Sequence, residues 1–186
     1  HDTTWTAGPE REPEHYRELV LALPPLDLED HLIDAGAGTG KLAGLIAQGY
    51  PRLGRVTLIE PNASKLTRAR ARLEDLLPAA LLDALAQALG EGRAFDVEPA
   101  TVVTIGSVLM PVMELRGGSL EYGLRWLRAA LGQLRDALRP GGSLFDVEPL
   151  APPWARGALH NPVRRLPMLE LVDEPNWLTD QANSAE

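Results

Sequence analysis

The sequence predicts an α/β fold, a doubly wound and mostly parallel sheet with helices on both faces, and three observations predict it. Apolar, strand-like runs at 31–35, 55–60, 101–109 and 143–148 alternate with helical patterns, the order that gives parallel strands joined by right-handed crossovers. The first run passes through Asp34 into a turn with glycine at every second position, Gly36, Gly38 and Gly40. The strongest run, Thr101 to Leu109, is apolar on both alternations, as a strand buried on two faces should be.

Taken in order, Pro13 can open a helix in which Tyr16, Leu19, Val20 and Leu23 share a face, and Pro24-Pro25 ends it. Trp5 and Tyr16 are readable either as packing on the sheet edge or as a flap over a ligand. His31 to Ala35 is the first strand, and Lys41 to Gln48 the helix after the glycine turn. Arg55 to Glu60 is the second strand, and Pro61-Asn62 a turn. Asn62 or Ser64 can cap the next helix by accepting from its free N–H groups. Leu66, Ala69, Leu73, Leu76 and Leu77 form the inner face of that helix, flanked by a solvated face of Arg68, Arg70 and Arg72.

Pro78 breaks the pattern and predicts a second short helix as far as Leu89, closed by Gly90 and Gly92, before a weak third strand at Arg93 to Val97. Met110 to Gly118 reads as an irregular loop, and Ser119 as the cap of a long helix. In that helix Leu120, Leu124, Leu127, Leu131, Leu134 and Leu138 lie within about 40° of one line, a core-packing stripe. Trp126 lies about 120° from it and is expected on the flank. Arg139-Pro-Gly-Gly142 turns the chain into a fifth strand, Ser143 to Glu148. Beyond Pro149 prolines recur, Leu166 to Glu174 is compatible with a short helix or a strand, and the tail is expected to fray.

At 186 residues the chain is expected to be one domain, with an N-terminal cap segment (1–27), a ligand-binding core (28–148) and a C-terminal segment (149–186). The net charge of −8 disfavours nucleic acid as a main partner, because that affinity rests on Lys and Arg at phosphates. The absence of cysteine excludes disulfides and thiolate chemistry and fits a cytoplasmic, reducing setting. No run approaches the ~18 apolar residues of a membrane span, and no metal site is expected.

Three ligands compete for the glycine turn. The dinucleotide fingerprint requires G-x-G-x-x-G, but Lys41 stands where the third glycine belongs. A phosphate-binding loop requires G-x-x-x-x-G-K-[ST], and here residue 35 is Ala and residue 42 is Leu. The third candidate fits. Asp34-x-Gly36-x-Gly38-x-Gly40, with Glu60 ending the second strand, the Val102–Leu109 strand and Leu138-Arg-Pro-Gly-Gly142 before the fifth, resembles the class I S-adenosylmethionine-dependent methyltransferases. The resemblance covers roughly residues 28–148.

That resemblance implies S-adenosyl-L-methionine as cofactor and S-adenosyl-L-homocysteine as product, with the acceptor a small molecule or a peptide. It implies that Asp34 helps to place the methionine ammonium, that Ala35, Gly36, Gly38 and Gly40 lie along the ligand, and that Glu60, followed by Pro61, takes the ribose hydroxyls. Asp96 would accept from the adenine amino group at the end of the third strand, and the backbone of Ile105 and Gly106 would face the methionine portion. The chain departs from the family in two places. Gly106-Ser-Val-Leu109 replaces the Asn/Asp-Pro-Pro-aromatic motif of amino-methylating enzymes, which counts against DNA or glutamine as acceptor. No catalytic base is evident. His160 is the best-placed candidate, against a plain surface role, and Ser107 and Glu148 stand at strand ends facing the crevice.

The family's last strands are expected to be shortened or missing, which would leave a sheet edge for a homodimer, a partner chain or a covering segment. The rival reading is a catalytically silent cofactor-binding subunit or scaffold. An NAD-type oxidoreductase is the third.

Overall fold

The computed structural model describes residues 14–106, 120–147 and 164–166. The elements are α1 (Glu14–Ala22), β1 (His31–Ala35), α2 (Lys41–Gly49), β2 (Arg55–Ile59), α3 (Ala63–Leu76), β3 (Leu81–Leu85), β4 (Ala100–Gly106), α4 (Leu120–Asp136), β5 (Leu138–Val147) and β6 (Arg164–Leu166). The six strands form one sheet in the order β3-β2-β1-β4-β5-β6. All neighbours are parallel except β6, which runs antiparallel to β5. The order reverses between β1 and β4, and in such sheets the ligand crevice lies outside the carboxyl ends of the strands at that reversal.

Side-chain alternation splits the core into two layers. On one face Leu32, Val56, Leu58 and Val102 pack with Leu19 and Leu23 of α1, Leu42 and Ile46 of α2, and Leu66 and Leu73 of α3. On the other, Ile33, Ile59, Val103, Ile105 and Leu144 pack with Leu127, Leu131 and Leu134 of α4. β1 is buried at all five positions, its two polar residues His31 and Asp34 included, as a strand covered on both faces is. Asn62 is the cap of α3, accepting from Ser64 N at 3.0 Å and Lys65 N at 3.1 Å. Arg68 and Arg70 are exposed, as expected, and Arg70 pairs with Glu74 at 2.9 Å. Among the described residues no helix is long and apolar enough to cross a membrane.

The structure corrects the sequence reading between 78 and 99. Leu81–Leu85 is the third strand, not part of a helix, and 93–97 is not a strand. The segment is rich in Leu and Ala, which favour helix, but propensity is a weak prior. The open edge of β2 offers a full parallel ladder from Arg55↔Leu81 to Ile59↔Leu85. Arg55 adds a pair of hydrogen bonds to Asp83 Oδ2, at 2.8 and 3.0 Å.

No helix crosses over from β3 to β4. The connection is instead a fixed loop, tied to α4 by amide and indole groups. Gln133 accepts from Gly90 N at 2.6 Å and donates to the Arg93 carbonyl. Trp126 Nε1 donates to Leu89 O at 2.9 Å. Trp126 is therefore buried and not on an exposed flank, because this loop covers the side of α4 that periodicity alone leaves open.

At the C-terminus β6, three residues long, pairs antiparallel with β5 from Leu144↔Leu166 to Asp146↔Arg164, so a short segment of this chain covers that edge, one of the alternatives expected. β5 itself begins at Leu138, with the Arg139–Gly142 turn inside it and an irregular register against β4.

The loop makes a discriminating pair of substitutions available. Gly90 and Gly92 both have positive φ, 75° and 72°. A Cβ at 92 meets nothing within 4 Å, whereas one at 90 would lie 2.1 Å from Trp126 Nε1. Gly92→Ala is expected to cost about 1–2 kcal/mol, the left-handed penalty alone. Gly90→Ala should cost at least about twice that, since Trp126 must also leave its seat. Urea denaturation of the two variants checks this, and equal costs would remove Trp126 from the account.

Candidate functional site

The site is built where β1 ends. Gly36, Gly38 and Gly40 have φ of 75°, 54° and 75°, a conformation that residues with a Cβ rarely adopt. The turn they form is fastened to the end of β2. Gly36 N and Ala37 N both donate to Ile59 O, at 2.7 and 3.0 Å, and Gly38 N donates to Glu60 Oε2 at 3.0 Å. The other oxygen of Glu60 accepts from Asn62 N at 3.0 Å. One buried carboxylate thus joins the glycine turn to the approach of α3.

The three glycines are not equivalent. A Cβ on Gly40 would lie 2.8 Å from the Ala69 α-carbon, so Gly40 lets α3 pack close against the start of α2. Around Gly38 the same position is open, with only the Gly36 carbonyl oxygen at 4.0 Å. Gly38 therefore presents bare backbone to the crevice, while Gly40 is spent on helix packing.

Asp34 is 1% exposed. Its Oδ1 accepts from the Thr104 hydroxyl at 3.1 Å, a residue brought opposite by the β1–β4 register. Its Oδ2 is buried with no hydrogen-bond partner among the described residues. Burial pushes the Asp34 carboxyl up to about 7. The Thr104 bond and the Ala43 backbone act against that lift, and the Glu60 carboxylate adds to it. Buried carboxylate oxygens are rarely left unpaired in native proteins, and an ionised Asp34 could still accept a donor at Oδ2.

Ala35 and Ile105 are fully buried in the α4-side core, so only their backbone can face the crevice. Gly106 ends β4 and receives a hydrogen bond on its carbonyl from Tyr16 Oη at 3.3 Å. Pro61 is exposed just past β2. Asp96 is displaced from its expected role. It is exposed in the 86–99 connection and lines a cleft of about 470 Å³ with Arg55, Thr57, Asp83 and Glu98. The true third strand ends at Leu85, and the buried polar group just beyond it is Gln87, which donates to Arg93 O at 2.8 Å.

His160, Ser107 and Glu148 lie outside the described residues, as do Trp5 and the whole of the loop from 107 to 119. Sequence reasoning misses Thr104, because its importance comes from register with Asp34 and a hydroxyl in a mostly apolar strand is its only sequence signal.

Asp34 gives the protein a pH dependence of definite sign. Its folded-state pKa, about 7, stands above the ordinary 3.8, so between those values the unfolded chain has lost a proton that the folded chain still holds. Stability then falls as pH rises across this window, by up to about 4 kcal/mol. Asp34→Asn should flatten the difference between urea denaturation at pH 5 and pH 8, and should be more stable than the parent at pH 8. A variant that keeps the parent's slope would place the titration elsewhere.

No protein-family model matches the chain. It is 30% identical over 148 residues to a release factor glutamine methyltransferase of Koribacter versatilis, covering 72% of this chain and 51% of that protein. It is 30% identical over 139 residues to the ubiquinone/menaquinone biosynthesis C-methyltransferase UbiE of Chromobacterium violaceum, covering 72% and 48%. Its fold superposes on an S-adenosylmethionine-dependent O-methyltransferase of Thermotoga maritima with a TM-score of 0.54 at 18% identity, over 75% of this chain and 45% of that one. The chain spans about half the length of the curated relatives it matches.

Proposed function

Taking the chain as a member of the class I, Rossmann-like methyltransferase family, we propose that it binds S-adenosyl-L-methionine and transfers its methyl group to a small-molecule or peptide acceptor. One observation carries this reading. Two carboxylates, Asp34 and Glu60, flank a glycine turn of positive φ, and one of them keeps a buried oxygen unpaired. A ligand with an ammonium group, a diol and no phosphate matches that pair of acceptors. A dinucleotide or nucleoside triphosphate would set phosphates against it.

Glu60 is already oriented for a diol. Each of its oxygens accepts one backbone N–H, from Gly38 and Asn62, and an ionised carboxylate has about four acceptor positions. The two bonds fix the carboxylate plane and leave an acceptor position on each oxygen for one ribose hydroxyl. Asp34 Oδ2 would take the ammonium, whose arrival would also hold the carboxylate in its charged form. The backbone at Gly36, Gly38 and Gly106 would line the ligand between them.

The cofactor supplies an activated methyl on a sulfonium sulfur. The chain's own contribution is to hold it at the end of β4 in a near-attack geometry, which can account for much of the rate. A base is needed only when the nucleophile arrives protonated, and His160 is the candidate for it. One relative is named for release factor glutamine and the other for a C-methylation in ubiquinone/menaquinone biosynthesis, so the acceptor is proposed only as a class. A cofactor-binding subunit without activity of its own is the second reading, and an assay of methyl transfer separates the two.

Calorimetric titration with S-adenosylmethionine, S-adenosylhomocysteine and NAD tests the cofactor. The first two are expected to bind and NAD is not. Glu60→Ala should weaken binding at least tenfold, about 1.4 kcal/mol or more. Unchanged affinity in that variant would remove the ribose assignment, and methyl transfer to a candidate acceptor would separate enzyme from silent subunit.

A further inference from the structure

α1 packs in the core layer that holds α2 and α3, with Tyr16 near its start at the carboxyl end of β4. Tyr50, at the end of α2, places its hydroxyl 3.3 Å from the carbonyls of both Val20 and Leu23 and so satisfies the C-terminal end of α1. Leu19 and Leu23 are buried in the α2/α3 layer. These contacts dock the helix without help from Tyr16. Tyr16 reaches further, to Gly106, where its hydroxyl meets the carbonyl and its ring covers the α-carbon.

Gly106 explains why the ring fits. Its φ is not in the left-handed region, so backbone conformation does not require glycine there. Space does. A Cβ at 106 would lie 2.9 and 3.1 Å from the Tyr16 ring and 3.0 Å from Leu42 in the first turn of α2. The ring therefore occupies a notch made by the missing side chain, directly over the point where the strand order reverses between β1 and β4.

We propose that Tyr16 is a positioning residue that walls off the methionine end of the cofactor crevice and slows the escape of bound cofactor, with the notch at Gly106 as its seat. The inference rests on the proposed reading of that crevice as an S-adenosylmethionine site. It makes the N-terminal helix part of the site and gives Gly106 a role beyond lining it.

Stopped-flow displacement of S-adenosylhomocysteine tests the wall, on the parent, Tyr16→Phe, Tyr16→Ala, Gly106→Ala and the Tyr16→Ala/Gly106→Ala double variant. Tyr16→Ala removes the ring and Gly106→Ala pushes it from its seat, so each should release the ligand about tenfold faster. Tyr16→Phe keeps the ring and should stay within about threefold of the parent. In the double variant the two effects share one cause and should not add. Release unchanged or slower in Tyr16→Ala, or additive effects in the double variant, would overturn the inference. Should Tyr16→Ala fail to fold, Gly106→Ala, which crowds only the far ends of two side chains, still decides by its release rate against Tyr16→Phe. Failure of the parent to bind S-adenosylhomocysteine would instead count against the reading of the crevice itself.

Discussion

The fastening of the glycine turn to the end of β2 is the constraint on which the site depends. Three successive donors, Gly36 N, Ala37 N and Gly38 N, are met by Ile59 O and the Glu60 carboxylate. Those bonds hold the carboxyl ends of β1 and β2 in register beyond the last ladder pair, Ala35↔Ile59. They also set the direction in which α2 leaves and, through Asn62 N, the place where α3 begins. Gly40 then allows α3 to close on α2 at backbone distance from Ala69. A side chain at 60 that could not accept two hydrogen bonds would leave both backbone donors to find partners elsewhere, at the cost that attends any unpaired polar group taken out of water.

Asp34 stands in tension with this frame. Its burial raises the carboxyl pKa to about 7, and only Thr104 and the nearby Ala43 backbone oppose that lift. The two carboxylates differ. Asp34 keeps a buried oxygen with no partner among the described residues, which costs stability, while Glu60 is already hydrogen-bonded through both oxygens.

The glycine turn, the acid at the end of β2 and the Asn62 cap were legible in the sequence, because each follows a strand end that the apolar runs mark. Asp96 was misplaced because a Leu/Ala-rich segment reads as helix on propensity, while the edge of β2 made it a strand and moved the strand end to Leu85. Trp126 was misread because periodicity knows only the helix, not the 86–99 loop that covers its second side. Thr104 and Tyr16 act across 70 and 90 residues of chain, a separation that no local pattern reports.

By itself, then, the sequence determined the alternation of strands and helices, the glycine turn and the acid that fastens it. These follow from side-chain period, from φ and from short-range hydrogen bonding. Tertiary structure alone decided which segment takes the free edge of β2, that β6 returns to cover β5, that Gly40 serves packing while Gly38 stays open, and that Tyr16 fills the notch at Gly106. Each of those outcomes depends on which surfaces meet in space, and that is settled by the competition of whole elements for one sheet and not by any residue's own preference.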